Sequence, residues 1–213
     1  MRIKINIIYE DKFIIAVNKP SGILSITTEK EKDFTLYHLV TEYIKSRYGK
    51  NNRVFIVHRL DRDTSGVIVF AKDYNTKENL QSLFESGNVI RKYEAILSRV
   101  PQKRSGRLIR FLHIDKLGNV FISDEKDRFA KKAITDYKIA NVRNGRAFAD
   151  IQIMTGKKNQ IRISFSDINC PILGDKKFNG DKYFRLALNA YCLDLRSFLD
   201  RDEYLLKIPN SFI

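Results

Sequence analysis

A charged run of nine residues, His58-Arg59-Leu60-Asp61-Arg62-Asp63-Thr64-Ser65-Gly66, constrains this chain more than any other stretch. Val54-Phe55-Ile56-Val57 precedes it and Val67-Ile68-Val69-Phe70-Ala71 follows it. Both flanks are short, β-branched and aromatic, the pattern of buried strands. Two buried strands would pin a polar loop between them, and loops on rigid scaffolds are where chemistry is usually placed. Gly66 tolerates backbone angles closed to residues with a Cβ, and Thr64 and Ser65 can bond the local backbone. The same stretch also reads as an ordinary solvated turn. A calcium loop is a third reading, from Asp61-x-Asp63-x-Ser65-Gly66, but its twelfth position needs a bidentate Glu and is Lys72 here.

Composition narrows the class. A chain of 213 residues with 43% hydrophobic content can bury a sizeable core and is globular. A net charge of +14 points to a polyanionic partner, nucleic acid first and an anionic membrane surface second. No apolar run approaches the ~18 residues of a membrane span, and the first residues lack a signal-peptide core. Cys170 and Cys192 show no CxxC spacing and read as reduced thiols of a cytoplasmic protein. His38, His58 and His113 lie far apart in sequence, so no metal site is expected.

Along the chain, residues 2–8 and 12–17 read as strands with Tyr9-Glu10-Asp11 as their turn. Asn18-Lys19-Pro20-Ser21-Gly22 is an irregular loop. Thr35 to Tyr48 reads as a helix, with Leu36, Leu39, Val40, Tyr43, Ile44 and Tyr48 at helical spacing, and Gly49 can end it. A second helix runs from about Thr76 to Ser86, capped by Asp73 or Asn75. A strand spans 89–97, and a peripheral basic hairpin pairs 108–114 with 120–122. Further strands begin at Lys131 and span 147–154. Thr155-Gly156-Lys157-Lys158 is not a P-loop, because position 151 is Ile and position 158 is Lys.

His-Arg-Leu-Asp-x-x-Thr-Ser-Gly resembles the signature of the RluA-type RNA pseudouridine synthases. Asn-Lys-Pro-x-Gly at 18–22, Arg-Lys-Tyr-Glu-Ala at 91–95, the Lys-x-Ala-x-Thr-x-Tyr block at 131–137, Thr-Gly-x-x-x-Gln-Ile-Arg at 155–162, Pro-Ile-Leu-Gly-Asp at 171–175 and Arg-Leu-Ala-Leu-Asn-Ala at 185–190 follow in family order. Three positions depart: Lys157 stands for Arg, and Asn159 and Asn189 stand for His. Asn keeps hydrogen bonding but cannot titrate, and Lys loses the bidentate fork.

The resemblance implies an α+β domain built on a mixed, largely antiparallel bent sheet with flanking helices and a central basic cleft. It implies Asp61 as the catalytic aspartate, Arg162 as its counter-charge and Tyr93 as the aromatic that stacks on the target base. Arg59 would fill the gap left by a flipped uridine; an ion pair with Asp61 or Asp63 is its plainer role, as a core aromatic is for Tyr93. Arg62, Lys19, Lys157, Lys158, Asn159 and Gln160 complete the expected RNA-facing set. The reaction needs no cofactor. The expectation is one catalytic domain over 1–213 without an N-terminal S4 domain, monomeric and cytoplasmic, acting on structured rRNA or tRNA. A non-catalytic RNA-binding factor on the same fold is the alternative. A metal-dependent phosphodiesterase using Asp61 and Asp63 lacks further ligands at readable spacing.

Overall fold

The computed structural model describes residues 4–27 and 34–212. In chain order the elements begin with β1 (Ile7–Glu10), β2 (Ile14–Lys19), α1 (Leu36–Tyr48), β3 (Phe55–Ile56), β4 (Ser65–Ala71) and α2 (Tyr74–Glu85). Then come β5 (Ile90–Leu97), β6 (Ser105–Ile114), β7 (Val120–Ser123), β8 (Lys131–Arg143) and β9 (Arg146–Ile153). The last are α3 (Gln160–Asp167), β10 (Leu188–Asp194) and β11 (Leu205–Lys207). The chain divides into two compact units, residues 1–90 with 190–209 and residues 91–189 with 210–213. No helix among the described residues is long and apolar enough to cross a membrane.

The first unit is a sheet covered on both faces. Its strands run in the order β1-β2-β4-β10, with β3 beside β4 and β11 beside β10. β2 pairs antiparallel with β4 from Ile14↔Ala71 to Lys19↔Gly66. One face, through Ile15, Val17, Ile68 and Phe70, meets Leu36, Val40 and Ile44 of α1. The other, through Ile14, Ala16, Val67 and Val69, meets Leu80 of α2 and the late residues Leu193, Phe198 and Tyr204. Burial on both sides is why β2 and β4 are continuous apolar runs rather than alternating ones. Thr35 caps α1 by accepting from the His38 N–H, and Asp73 caps α2 by accepting from the Thr76 N–H.

Several boundaries move from the sequence expectation; β2 runs over Ile14–Lys19 rather than 12–17, and β6 begins at Ser105 rather than at 108. Tyr9 and Glu10 belong to β1, opposite Ala16 and Ile15. The turn shifts onward because the Asp11 carboxylate accepts from the N–H groups of Phe13 and Ile14, both at 2.8 Å. The strand expected over 54–57 is Phe55–Ile56 alone. Residues 2 and 3 of the expected first strand lie outside the described residues.

The second unit is an antiparallel sheet in the order β5-β9-β8-β6-β7. α3 covers one face: Ile163 packs with Leu112, Val120, Ala133 and Phe178, and Phe165 meets Tyr137 edge-on at 5.4 Å. Tyr93 lies opposite Ile151, and Ile151 opposite Tyr137. Directly opposed residues share a face, so Tyr93 lies on the face that α3 covers.

Candidate active site

Each unit prepares its own set of polar side chains. In the first, residues 58–64 of the charged run form a loop, and Ser65 and Gly66 open β4. Leu60 and Thr64 are buried, Asp61 is half-buried, and Arg59, Arg62 and Asp63 are exposed. Arg59 and Asp61 flank the buried Leu60 and are both more exposed than it. Gly66, where the loop becomes strand, has φ of 123°, and a Cβ there would lie 2.2 Å from the Ala190 carbonyl oxygen. Only glycine satisfies both conditions.

The 19–25 segment fastens this loop from beneath. The Ser25 hydroxyl donates to the Leu60 carbonyl at 2.7 Å and accepts from the Leu60 N–H at 3.1 Å. The Gly22 N–H donates to the Arg62 carbonyl at 3.0 Å, and the Ser21 hydroxyl donates to that of Asp63 at 2.6 Å. Lys19 is fully buried, and its ammonium donates to the carbonyls of Pro20, Ile23 and Arg62 at 3.0, 2.8 and 2.8 Å. All three ammonium protons are thereby spent within the protein, leaving none for a phosphate. Burial pushes the Lys19 ammonium down to about 8, with the charges of Asp63 and Asp61 partly opposing the shift. His58 is structural as well: its Nε2 accepts from the Val69 N–H at 3.1 Å, and its ring stacks on Phe84.

In the second unit the 155–162 block turns into α3. Gln160 fills both ends of its amide. Its carbonyl accepts from the Thr155 hydroxyl at 2.8 Å and the Lys157 N–H at 3.0 Å. Its NH₂ donates to the Ile134 carbonyl and the Thr135 hydroxyl at 2.9 and 3.0 Å. Gln160 is therefore a latch between loop and β8, although the sequence placed it among RNA contacts. Asn159 is also buried, with φ of 54°, a left-handed conformation that Asn tolerates better than most residues. Its side-chain oxygen accepts from Nη1 of Arg162 at 3.2 Å. Lys158 is exposed and donates to the Gly118 carbonyl at 2.7 Å, tying α3 to the β6–β7 turn; Lys157 is half-buried.

Arg162 is buried in the first turn of α3. Its Nε and Nη2 donate to the two oxygens of Asp175, each at 2.8 Å. Asp175 was only part of a resembling block in the sequence; nothing in its spacing marked it as the partner of an arginine. The neighbour of Tyr93, Glu94, is a fully buried carboxylate that accepts from the Asn189 side chain at 2.8 Å and from the N–H groups of Ser211 and Phe212. The Asn at 189 thus supplies a donor to a buried charge. The structure therefore gathers Lys19 and the Asp61–Arg62 loop in one unit. It gathers Tyr93, Asn159, Gln160 and Arg162 on one sheet face in the other.

These features agree with the comparisons to known proteins. A family model described as RNA pseudouridylate synthase matches residues 13–167. Ribosomal large subunit pseudouridine synthase D of Borreliella burgdorferi is 35% identical over 99% of this chain and 67% of its own. tRNA pseudouridine synthase C of Vibrio parahaemolyticus is 31% identical over 89% of this chain and 79% of its own. The solved structure of human RNA pseudouridylate synthase domain containing 4 superposes with a TM-score of 0.76 at 26% identity, covering 96% of this chain and 95% of that one. The chain belongs to the RNA pseudouridylate synthase family. Within that family it is of the RluA type, as its His58–Gly66 signature and the large-subunit relatives agree.

Proposed function

We propose that this protein isomerises uridine to pseudouridine in structured rRNA or tRNA, with Asp61 as the catalytic residue. The observation that carries the assignment is the intact His58–Gly66 signature, in a loop fastened to β2 and the 19–25 segment. The N1–C1′ bond breaks, the base turns, and C5 bonds to C1′ as its proton moves to N1. No atom is gained or lost, so no cofactor or energy source enters the balance. Asp61 works as a carboxylate, whether as nucleophile or as base, and a buried carboxylate needs a cation to stay ionised. Arg162 is that cation in our reading, and Tyr93 stacks on the extruded base. Both roles rest on the family resemblance. A uridine in a stacked helix must be flipped out to react, and the exposed Arg59 fills its place. Names of the relatives, one ribosomal and one for transfer RNA, support RNA of either kind as substrate. We place the enzyme in the cytoplasm as a monomer.

Asp61→Asn tests the assignment directly. Pseudouridine is mapped across RNA from cells with and without the gene, and the purified variant is assayed on the RNA that loses a modification. The variant is expected to bind this RNA like the parent and to form no product. Turnover at even about a tenth of the parent rate would overturn Asp61 as the catalytic group.

A further inference from the structure

The environment of Arg162 is more elaborate than a charge partner requires. The Asp175 side chain is fully buried and that of Arg162 nearly so. One Asp175 oxygen, Oδ1, also accepts from the N–H groups of Lys177 and Phe178 at 3.0 and 3.1 Å. The carboxylate is therefore fixed by backbone before it receives the guanidinium. The Phe178 ring lies 5.2 Å from the guanidinium carbon. Asn159 precedes α3 in the N-cap position, yet makes no side-chain cap bond to the helix amides. An N-cap Asn normally stabilises its helix by such a bond. Here its oxygen turns instead to Nη1 of Arg162.

Three of the five guanidinium N–H groups are thus held by Asp175 and Asn159, on both edges of the plane. The directions of the other two follow from the planarity of the fork. A buried ion pair of this kind is weak evidence for stability, since apolar residues of similar volume serve as well. Fixing a cation at one orientation is what electrostatic catalysis demands.

We propose that Asp175 and Asn159 are positioning residues that set the plane of Arg162 for the isomerisation. The proposal rests on the reading in which Arg162 supports Asp61.

The test compares the parent with Asp175→Asn, Asn159→Gly and Asn159→Asp. Substrates are ribosomal and transfer RNA pools purified from cells lacking the gene. Asp175→Asn keeps an oxygen for the backbone N–H groups but turns an NH₂ toward Nε–H. It is expected to lower the single-turnover rate about 10- to 100-fold while RNA affinity stays within about 3-fold. Asn159→Gly keeps the left-handed backbone and removes only the acceptor; a rate loss of about 10-fold is expected with RNA affinity again within about 3-fold. Asn159→Asp restores an acceptor and is expected to recover most of that loss. Parent rates in Asp175→Asn and Asn159→Gly, or an Asn159→Asp enzyme as slow as Asn159→Gly, would overturn the proposal. Nitrogen-15 NMR of the Arg162 Nε–H gives a readout that needs no turnover. Its hydrogen exchange should be slow in the parent and fast in Asp175→Asn, and equal exchange in the two would overturn the clamp. A parent that converts no uridine in either pool, with this exchange contrast present, would instead overturn the function and leave the clamp standing.

Discussion

Replacing Lys19 by Met should change stability in a way that depends on pH, with a sign fixed by its burial. In water the ammonium titrates near 10.5, and in the folded protein burial brings it to about 8. Below pH 8 both folded and unfolded chains hold the proton, and the folded one bears the full desolvation penalty. Between pH 8 and 10.5 the unfolded chain holds more protons than the folded one, so stability rises with pH. The shift of about 2.5 units corresponds to roughly 3 kcal/mol at 1.36 kcal/mol per unit. Methionine fills a similar volume and does not titrate. It also leaves the Ile23 carbonyl without its buried donor, which costs about 1–3 kcal/mol at every pH. The Arg62 carbonyl keeps the Gly22 N–H. Urea unfolding of both proteins at pH 7, 9 and 10.5 checks this. Stability of the parent relative to Lys19→Met should grow by about 1 kcal/mol by pH 9 and about 3 kcal/mol by pH 10.5. A constant difference across that range would show that Lys19 titrates normally, and would refute the argument that burial dominates its environment.

Gly66→Ala should destabilise by about 4 kcal/mol or more, because its Cβ would overlap the Ala190 backbone on top of a forbidden φ; thermal melting or loss of soluble protein reports it. Ser25→Ala removes both bonds to the Leu60 backbone and should cost about 1–3 kcal/mol in a urea melt. Arg59→Ala and Arg59→Lys should slow single-turnover isomerisation most on a structured stem-loop, where flipping costs a few kcal/mol, and less on an unfolded variant of the same RNA. Equal losses on both substrates would mean that Arg59 serves Asp61 or the fold.

Much of the first unit was legible because its signals are local. Gly49 ends α1, Asp73 starts α2, and the apolar runs of β2 and β4 are bounded by Pro, Gly and charge, although Thr35, read as helical, is the residue that caps α1. α3 was not legible. Residues 160–165 are all buried, so no polar face marks a helical period, and Ile161, Ile163 and Phe165 alternate as in a strand. The same burial hid the roles of Lys19, Asn159 and Gln160. A polar side chain in a motif reads as a ligand contact from sequence. Whether it faces RNA or a carbonyl is decided by tertiary partners such as Arg62 and Ile134, which lie tens of residues away. The partnership of Arg162 with Asp175, 13 residues apart, was invisible because their spacing carries no pairing signal.

What these buried groups share is a cost that folding alone does not require. Arg162 and Asp175 could be exchanged together for apolar residues of similar size, and buried ion pairs are often matched or bettered by such joint exchanges; Lys19 and Gln160 likewise make buried hydrogen bonds that an apolar core would not need. Each instead spends its hydrogen bonds on a neighbour of a signature residue. Lys19 and Ser25 fix the backbone on either side of Asp61. Gln160 fixes the entry to α3, and Asp175 fixes Arg162 within it. A site that stabilises developing charge gains most when its dipoles and charges need no reorganisation as the reaction proceeds. Side chains on mobile loops would have to be ordered during each turnover, at a cost of about 1–2 kcal/mol for every residue backbone fixed. Here that ordering is done once, at folding, by groups whose hydrogen bonds are made within the protein. On this argument mutations at Lys19, Ser25, Gln160 and Asp175 should depress the rate of the chemical step more than RNA affinity, whereas exposed cations such as Arg59 and Arg62 should act on the RNA itself.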